Sequence, residues 1–143
     1  MRIILLIFFL ISFTNLNAQK YTEQYIQEAN VIGLNWWEDF NNKNYIDSYN
    51  SLDISLKERF SIDSWENQVK RLMNEIGFLQ KRSIINTYFQ SEIDGLEDGF
   101  YVFIEYQVIY SNTKNHLEYL ILKQNDKFEW KIISFEWEFQ NLK

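Results

Sequence analysis

The order of the sequence patterns predicts an α+β domain, with helices first and an antiparallel sheet second. Apolar residues recur every three or four positions up to Gly77 and at every second position after it. Three short polar connections, "DGLEDG", "SNTKN" and "QNDK", separate four alternating segments, so neighbouring strands should pair antiparallel. Helices segregated from an antiparallel sheet define the α+β class.

Three helices are predicted in the first half of the chain. The first ends at "NNKN", and its apolar face repeats through Tyr21, Tyr25, Ala29, Ile32, Trp36 and Phe40. A short helix follows in "YIDSYNSLD". The third, "SIDSWENQVKRLMNEIG", begins at a capping Ser61 or Asp63 and ends at Gly77, a residue suited to the position after a helix.

Four strands are predicted near residues 78–91, 99–111, 116–124 and 127–139. The last contains "EWKIISFEWEF", which combines three carboxylates with four aromatic rings. Strict alternation would place Trp130, Ile132, Ser134, Glu136 and Glu138 on one face, and Lys131, Ile133, Phe135, Trp137 and Phe139 on the other. Glu136 and Glu138 then point the same way, which is wrong for acids that flank a glycosidic bond. The stretch is interpreted as an ordinary last strand.

The N-terminal segment resembles a secretory signal peptide. Arg2 precedes an apolar run of about eleven residues, and Ala18 offers a cleavage point. Spanning a bilayer takes roughly 20 residues, so an uncleaved anchor is the weaker reading. We therefore expect a signal peptide over residues 1–18, a single domain over residues 19–143, and an exported protein that is periplasmic or secreted. The mature chain is expected to have no integral membrane segment.

Composition excludes several classes of function. The 143 residues include 46% hydrophobic and 18% aromatic residues, enough for a real core. Without residues 1–18 the chain keeps 13 basic and 20 acidic residues, a net charge of −7. Such a charge disfavours nucleic acid as a partner. The absence of cysteine excludes disulfides and thiolate chemistry, and a single histidine gives no transition-metal shell. No metal and no cofactor are expected.

Residues 29–139 resemble the small exported bacterial proteins grouped as domain of unknown function 4019. The likeness is carried by "WWEDFNNKNYIDSYNSL", "SWENQVKRLMNEIGFLQKR", "GFYVFIEYQVIY", "HLEYLILKQND" and "EWKIISFEWEF". The most specific part is the spacing of Trp65, Gly77 and Arg82, followed by Glu118 in the third strand. The segment "EIDGLEDG" lacks a proline often found before the second strand, which bears on the loop rather than the fold.

The resemblance implies the cone-shaped fold of the nuclear transport factor 2-like superfamily, with three helices packed on a bent four-stranded sheet. It implies no established activity, so no catalytic residue is carried over. Superfamily members commonly have a pocket between the helices and the concave sheet face. Three residues are candidates for ligand binding there: Arg82, Glu118 and Trp37. Each also has a structural reading, as a cross-strand ion pair for Arg82 and Glu118, and as cover between helices for Trp37.

The predicted function is a non-enzymatic module that binds a small molecule or an exported protein partner. The alternative is a ketosteroid-isomerase- or dehydratase-like enzyme, which needs a buried acid near a tyrosine hydroxyl. Glu105 with Tyr101 or Tyr106 is the candidate set. His116, in a turn, is expected to be solvated. A third reading is an assembly or immunity-type protein that acts through its sheet surface, and a homodimer through that face is also considered.

Overall fold

The protein is an α+β domain with one four-stranded antiparallel sheet, as the sequence predicts. The computed structural model describes the backbone of residues 2–139 and the side chains of residues 20–138. Its helices are α1 (Arg2–Asn41), α2 (Tyr45–Asn50), α3 (Ile54–Lys57) and α4 (Ile62–Ile76), and its strands are β1 (Leu79–Gln90), β2 (Tyr101–Tyr110), β3 (His116–Gln124) and β4 (Trp130–Phe139). The strand order in the sheet is β1-β2-β3-β4.

The helical half holds four helices among the described residues, not the three predicted. The additional one, α3, is a single turn, and the side chain of Asp53 caps it by accepting a hydrogen bond from the Ser55 amide. Its sequence, "ISLK", is too short to show a helical period, and so it was not predicted. α4 agrees with expectation: Ser61 caps it, and Gly77 follows it with a φ of 84°.

The predicted signal peptide, residues 1–18, lies outside the part of the chain whose side chains the structure describes. It therefore stays a prediction, together with the cleavage near Ala18. Within the described residues, no helix has both the length and the apolar character needed to cross a bilayer.

A bulge in β4 makes the strict alternation predicted for the last strand wrong. Ile121 of β3 lies opposite Ser134, whereas the next residue, Leu122, lies opposite Ile132, so Ile133 is an extra residue. Trp130 and Ile132 are buried before the bulge. After it the phase changes, and Phe135 and Trp137 pack on the core instead of Ser134, Glu136 and Glu138.

The interior between the helices and the sheet is filled by aromatic rings and aliphatic side chains. Ser48 of α2 is buried among them: its carbonyl accepts from the Trp36 indole at 2.9 Å, and its hydroxyl accepts from the Trp65 indole at 2.9 Å. Because two buried indole donors are satisfied at one residue, the helices α1, α2 and α4 are joined beneath the sheet. Backbone hydrogen bonds between Ile132 and both Ser51 and Asp53 tie this helical half to β4.

Candidate functional site

Two of the predicted ligand-binding residues, Arg82 and Glu118, form a buried ion pair. Arg82 Nη2 lies 2.8 Å and Nε 3.0 Å from Glu118 Oε2. The side chain of Arg82 is 5% exposed and that of Glu118 is 0% exposed. The two strands are not neighbours, because β2 runs between β1 and β3. Arg82 therefore reaches across β2, and the pair ties three strands together on the inner face of the sheet.

Trp37, the third predicted residue, belongs to the same cluster. The Arg82 guanidinium carbon lies 4.7 Å from the centroid of the Trp37 ring, a cation–π geometry. Trp37 is 0% exposed and also packs edge-to-face on Tyr106 and Trp137. The helical wheel places Trp37 at the edge of the apolar stripe of α1, where it would cover a boundary between helices. The structure instead places it at the centre, under the sheet.

Tyr110 and His116 complete this buried polar cluster, which consists of Arg82, Glu118, Tyr110 and His116. The Tyr110 hydroxyl accepts a hydrogen bond of 2.7 Å from Arg82 Nη2. The His116 ring stacks on Tyr110 with centroids 5.7 Å apart, and its Nε2 lies 3.5 Å from Glu118 Oε1. The expectation that His116 is solvated is wrong: it is 1% exposed, because it is the first residue of β3 and points inward.

Tyr106 borders the cluster and brings a hydroxyl that has no hydrogen-bond partner among the described residues. Its ring is fully buried, and its hydroxyl approaches α1 at Gly33, where a Cβ would lie only 2.6 Å from the oxygen. Burial raises the pKa of both Tyr106 and Tyr110 above the ordinary tyrosine value. Both phenols are therefore neutral at physiological pH.

The cluster is shielded from solvent, and this burial limits the reactions in which it can take part. One oxygen of Glu118 is occupied by Arg82, and the carboxylate is shielded from water by aromatic rings. Breaking a buried pair of this kind by removing one partner is costly, because the other charge is left buried and uncompensated. Among the described residues, no group of three or more His, Cys, Asp or Glu side chains is arranged to hold a metal ion.

A groove of about 240 Å³ lies near this cluster, between α4 and β4. Most of its lining is apolar: Phe60, Trp65, Val69, Leu72, Phe135 and Trp137. Gln68, Arg71 and Glu75 of α4 are exposed at its rim. Trp137 connects the groove to the cluster, because its ring packs on Trp37, which packs in turn on Arg82.

Glu105, the predicted acid of an enzyme site, lies on the opposite side of the sheet. In β2 the buried residues Ile104 and Tyr106 face the helices, so Glu105 between them faces outward. Tyr101 is on the outer side as well, and its hydroxyl donates to the carbonyl of Glu97. The proposed set of Glu105 with Tyr101 or Tyr106 is therefore not assembled in the interior.

Sequence reasoning missed Tyr110 and His116 as members of the interior cluster, and it named Tyr106, which borders the cluster, only in the enzyme set. A signal was available for the tyrosines, since positions 102, 104, 106, 108 and 110 alternate as one face of β2. For His116 the signal was masked by the polar turn "SNTKN" directly before it.

The sequence was compared with curated proteins and with models of known protein families. Curated proteins give no match. Residues 32–135 match the family described as "Protein of unknown function (DUF4019)", and this range contains Trp37, Arg82 and Glu118. Since the match spans well over half of the sequence, the chain belongs to the DUF4019 family.

Proposed function

We propose that this protein is an exported, non-enzymatic binding domain that takes a small, flat, apolar ligand in the groove between α4 and β4. The observation that carries the proposal is the lining of this groove: four aromatic and two aliphatic side chains surround about 240 Å³. Ligand sites are typically concave and apolar with a few polar groups, and the rim formed by Gln68, Arg71 and Glu75 supplies those.

The three residues predicted from the sequence support this groove from beneath. Trp137 lines it and rests on Trp37, and Trp37 rests on the guanidinium of Arg82. Because Arg82 is fixed by Glu118 and Tyr110, the floor of the groove is held by a rigid chain of contacts. The indole nitrogens of Trp37 and Trp137 have no hydrogen-bond partner among the described residues, so a small rotation of Trp137 would give a ligand a donor.

The enzyme alternative has one point in its favour, because Glu118 is a buried acid near tyrosine hydroxyls. A general base must come within hydrogen-bond reach of the proton that it removes. Glu118 is instead enclosed and bonded to Arg82, and the acid named from the sequence, Glu105, faces outward. Binding without chemistry is therefore the function that the geometry supports best.

Titration with the fluorescent probe 1-anilinonaphthalene-8-sulfonate tests the proposal. We expect saturable binding of one probe per chain. Leu72→Trp, which fills the groove, should weaken binding about tenfold or more, since a ring would have to be expelled to admit the probe. Ile62→Trp on the exposed side of α4 is the matched control and should bind like the unsubstituted protein. Thermal melts of both variants verify that they fold.

Equal probe binding by Leu72→Trp and Ile62→Trp would contradict the proposal, as would a protein that binds no probe. Either result would leave a protein partner as the ligand of this domain.

A further inference from the structure

The outer face of the sheet carries a second groove, of about 280 Å³, which is separate from the one between α4 and β4. Two rows of paired residues cross all four strands there. The first row carries the charges, and the second carries the rings. In strand order they are Asn86, Glu105, Tyr119 and Glu136, and then Tyr88, Phe103, Ile121 and Ser134.

The second row forms an aromatic wall. The rings of Tyr88 and Phe103 stack with centroids 4.6 Å apart and an interplanar angle of 4°. Tyr88 is 43% exposed. A flat, accessible ring face of this kind attracts cations through its quadrupole.

The first row carries two carboxylates that form no ion pair within the part of the chain that the structure describes. Glu105 and Glu136 flank Tyr119, one on each neighbouring strand. Lys123 and Lys131 on the neighbouring part of the sheet pair with Glu97 and Glu129, and Lys81 lies opposite Ile109, four residues along β2 from Glu105. The Tyr119 hydroxyl donates to a third carboxylate, Glu138, at 2.9 Å. The lining of this groove therefore carries two carboxylates and, among the described residues, no lysine or arginine.

We propose that this outer groove docks a lysine- or arginine-bearing segment of a partner protein. The cationic side chain lies against the Tyr88–Phe103 stack, and its charge is held between Glu105 and Glu136. Complementary charge brings such a partner in and orients it. A second copy of this chain is disfavoured as the occupant, because a two-fold axis would bring the same carboxylates against each other.

Fluorescence anisotropy with the full chain tests this proposal, using a labelled peptide of alternating arginine and glycine and a matched peptide of alternating glutamate and glycine. We expect binding of the arginine peptide alone, weakened by salt. The double variant Glu105→Gln/Glu136→Gln should weaken it about three- to tenfold, since two ion pairs are lost. Tyr88→Ala should also weaken it, by removing the ring face.

The control is Glu58→Gln/Glu92→Gln, which changes the net charge equally at two exposed positions away from the groove. It should bind the arginine peptide like the unsubstituted protein. Equal weakening by both double variants would overturn the proposal, because net charge alone would then explain binding. So would an absence of binding at low salt, or a dimer in native mass spectrometry that Glu105→Gln/Glu136→Gln disrupts or stabilises, since the occupant would then be a second copy.

Discussion

The two faces of the sheet differ in the environment of their charged residues. On the inner face, Arg82 and Glu118 are enclosed by rings, and they contact each other directly. On the outer face, Glu105 and Glu136 lie in a groove with no cation from the described residues. A charge buried in the fold has to be paired with another group of the protein. A charge in a solvent-exposed groove can be solvated by water or paired with a partner molecule. The inner pair is therefore interpreted as structural and the outer pair as recognition.

The largest expected effect is a loss of stability when the inner ion pair is broken, which distinguishes it from the outer carboxylates. Arg82→Met should lower the free energy of unfolding by about 3–5 kcal/mol, because it leaves the Glu118 charge buried and unpaired. Urea unfolding followed by tryptophan fluorescence measures this change. Removing both charges, in Arg82→Met/Glu118→Leu, should recover part of the loss.

Glu105→Gln is the matched control on the outer face. It should change stability by no more than about 0.5 kcal/mol, as for other surface substitutions. If Arg82→Met costs no more than Glu105→Gln, the inner cluster is not the support that we describe.

A smaller effect is expected where α1 crosses the inner face. Gly33→Ala would put a Cβ 2.6 Å from the Tyr106 hydroxyl and 3.1 Å from Ile104 Cδ1. Alanine normally stabilises a helix relative to glycine, but overpacking here should cost about 1–3 kcal/mol net. Thermal unfolding measures the change.

Tyr106→Phe should rescue Gly33→Ala, since it deletes the crowding oxygen and that oxygen has no partner among the described residues. Tyr119→Phe on the outer face is the comparison, and it should give no rescue. A Gly33→Ala protein that is more stable than the original would show that the contact is loose.

The smallest effect is one of titration. Burial raises the pKa of Tyr106 and Tyr110, whereas the hydrogen bond to Glu138 is the first cause that raises the pKa of Tyr119 to about 12. Glu138→Gln should therefore lower the pKa of Tyr119 and leave the two inner tyrosines unchanged. Absorbance at 295 nm, with carbon-13 NMR of labelled tyrosine for assignment, follows these ionisations.

The same shifts fix how stability depends on alkaline pH. Tyrosines in the unfolded chain ionise near a pKa of about 10. Above that pH the unfolded state binds fewer protons than the folded state, so the free energy of unfolding falls as the pH rises. Below it, these tyrosines contribute no pH dependence. Stability that is constant through this alkaline range would contradict the assignment.

Sequence patterns predicted the structural elements that have a repeating apolar period or a characteristic end. They missed features that depend on the surroundings of a single residue. The four strands, their antiparallel order and the end of α4 at Gly77 follow from period and turn chemistry. An ion pair between Arg82 and Glu118 was also among the predictions, but the position of β2 between their two strands was not. The α3 turn, the burial of His116 and the central place of Trp37 depend on packing from distant segments, which no local pattern encodes.

The bulge at Ile133 decides which surface each later side chain of β4 belongs to. If β4 kept all its residues but paired without the bulge, every residue after Ile133 would change face. Trp137 would then leave the α4–β4 groove for the acidic face, and Glu136 would enter the core. Deleting Ile133 would instead bring Ile132 and Ser134 together opposite Leu122 and Ile121, and the later residues would keep their faces. Both proposed binding surfaces therefore depend on how β4 pairs at this one position.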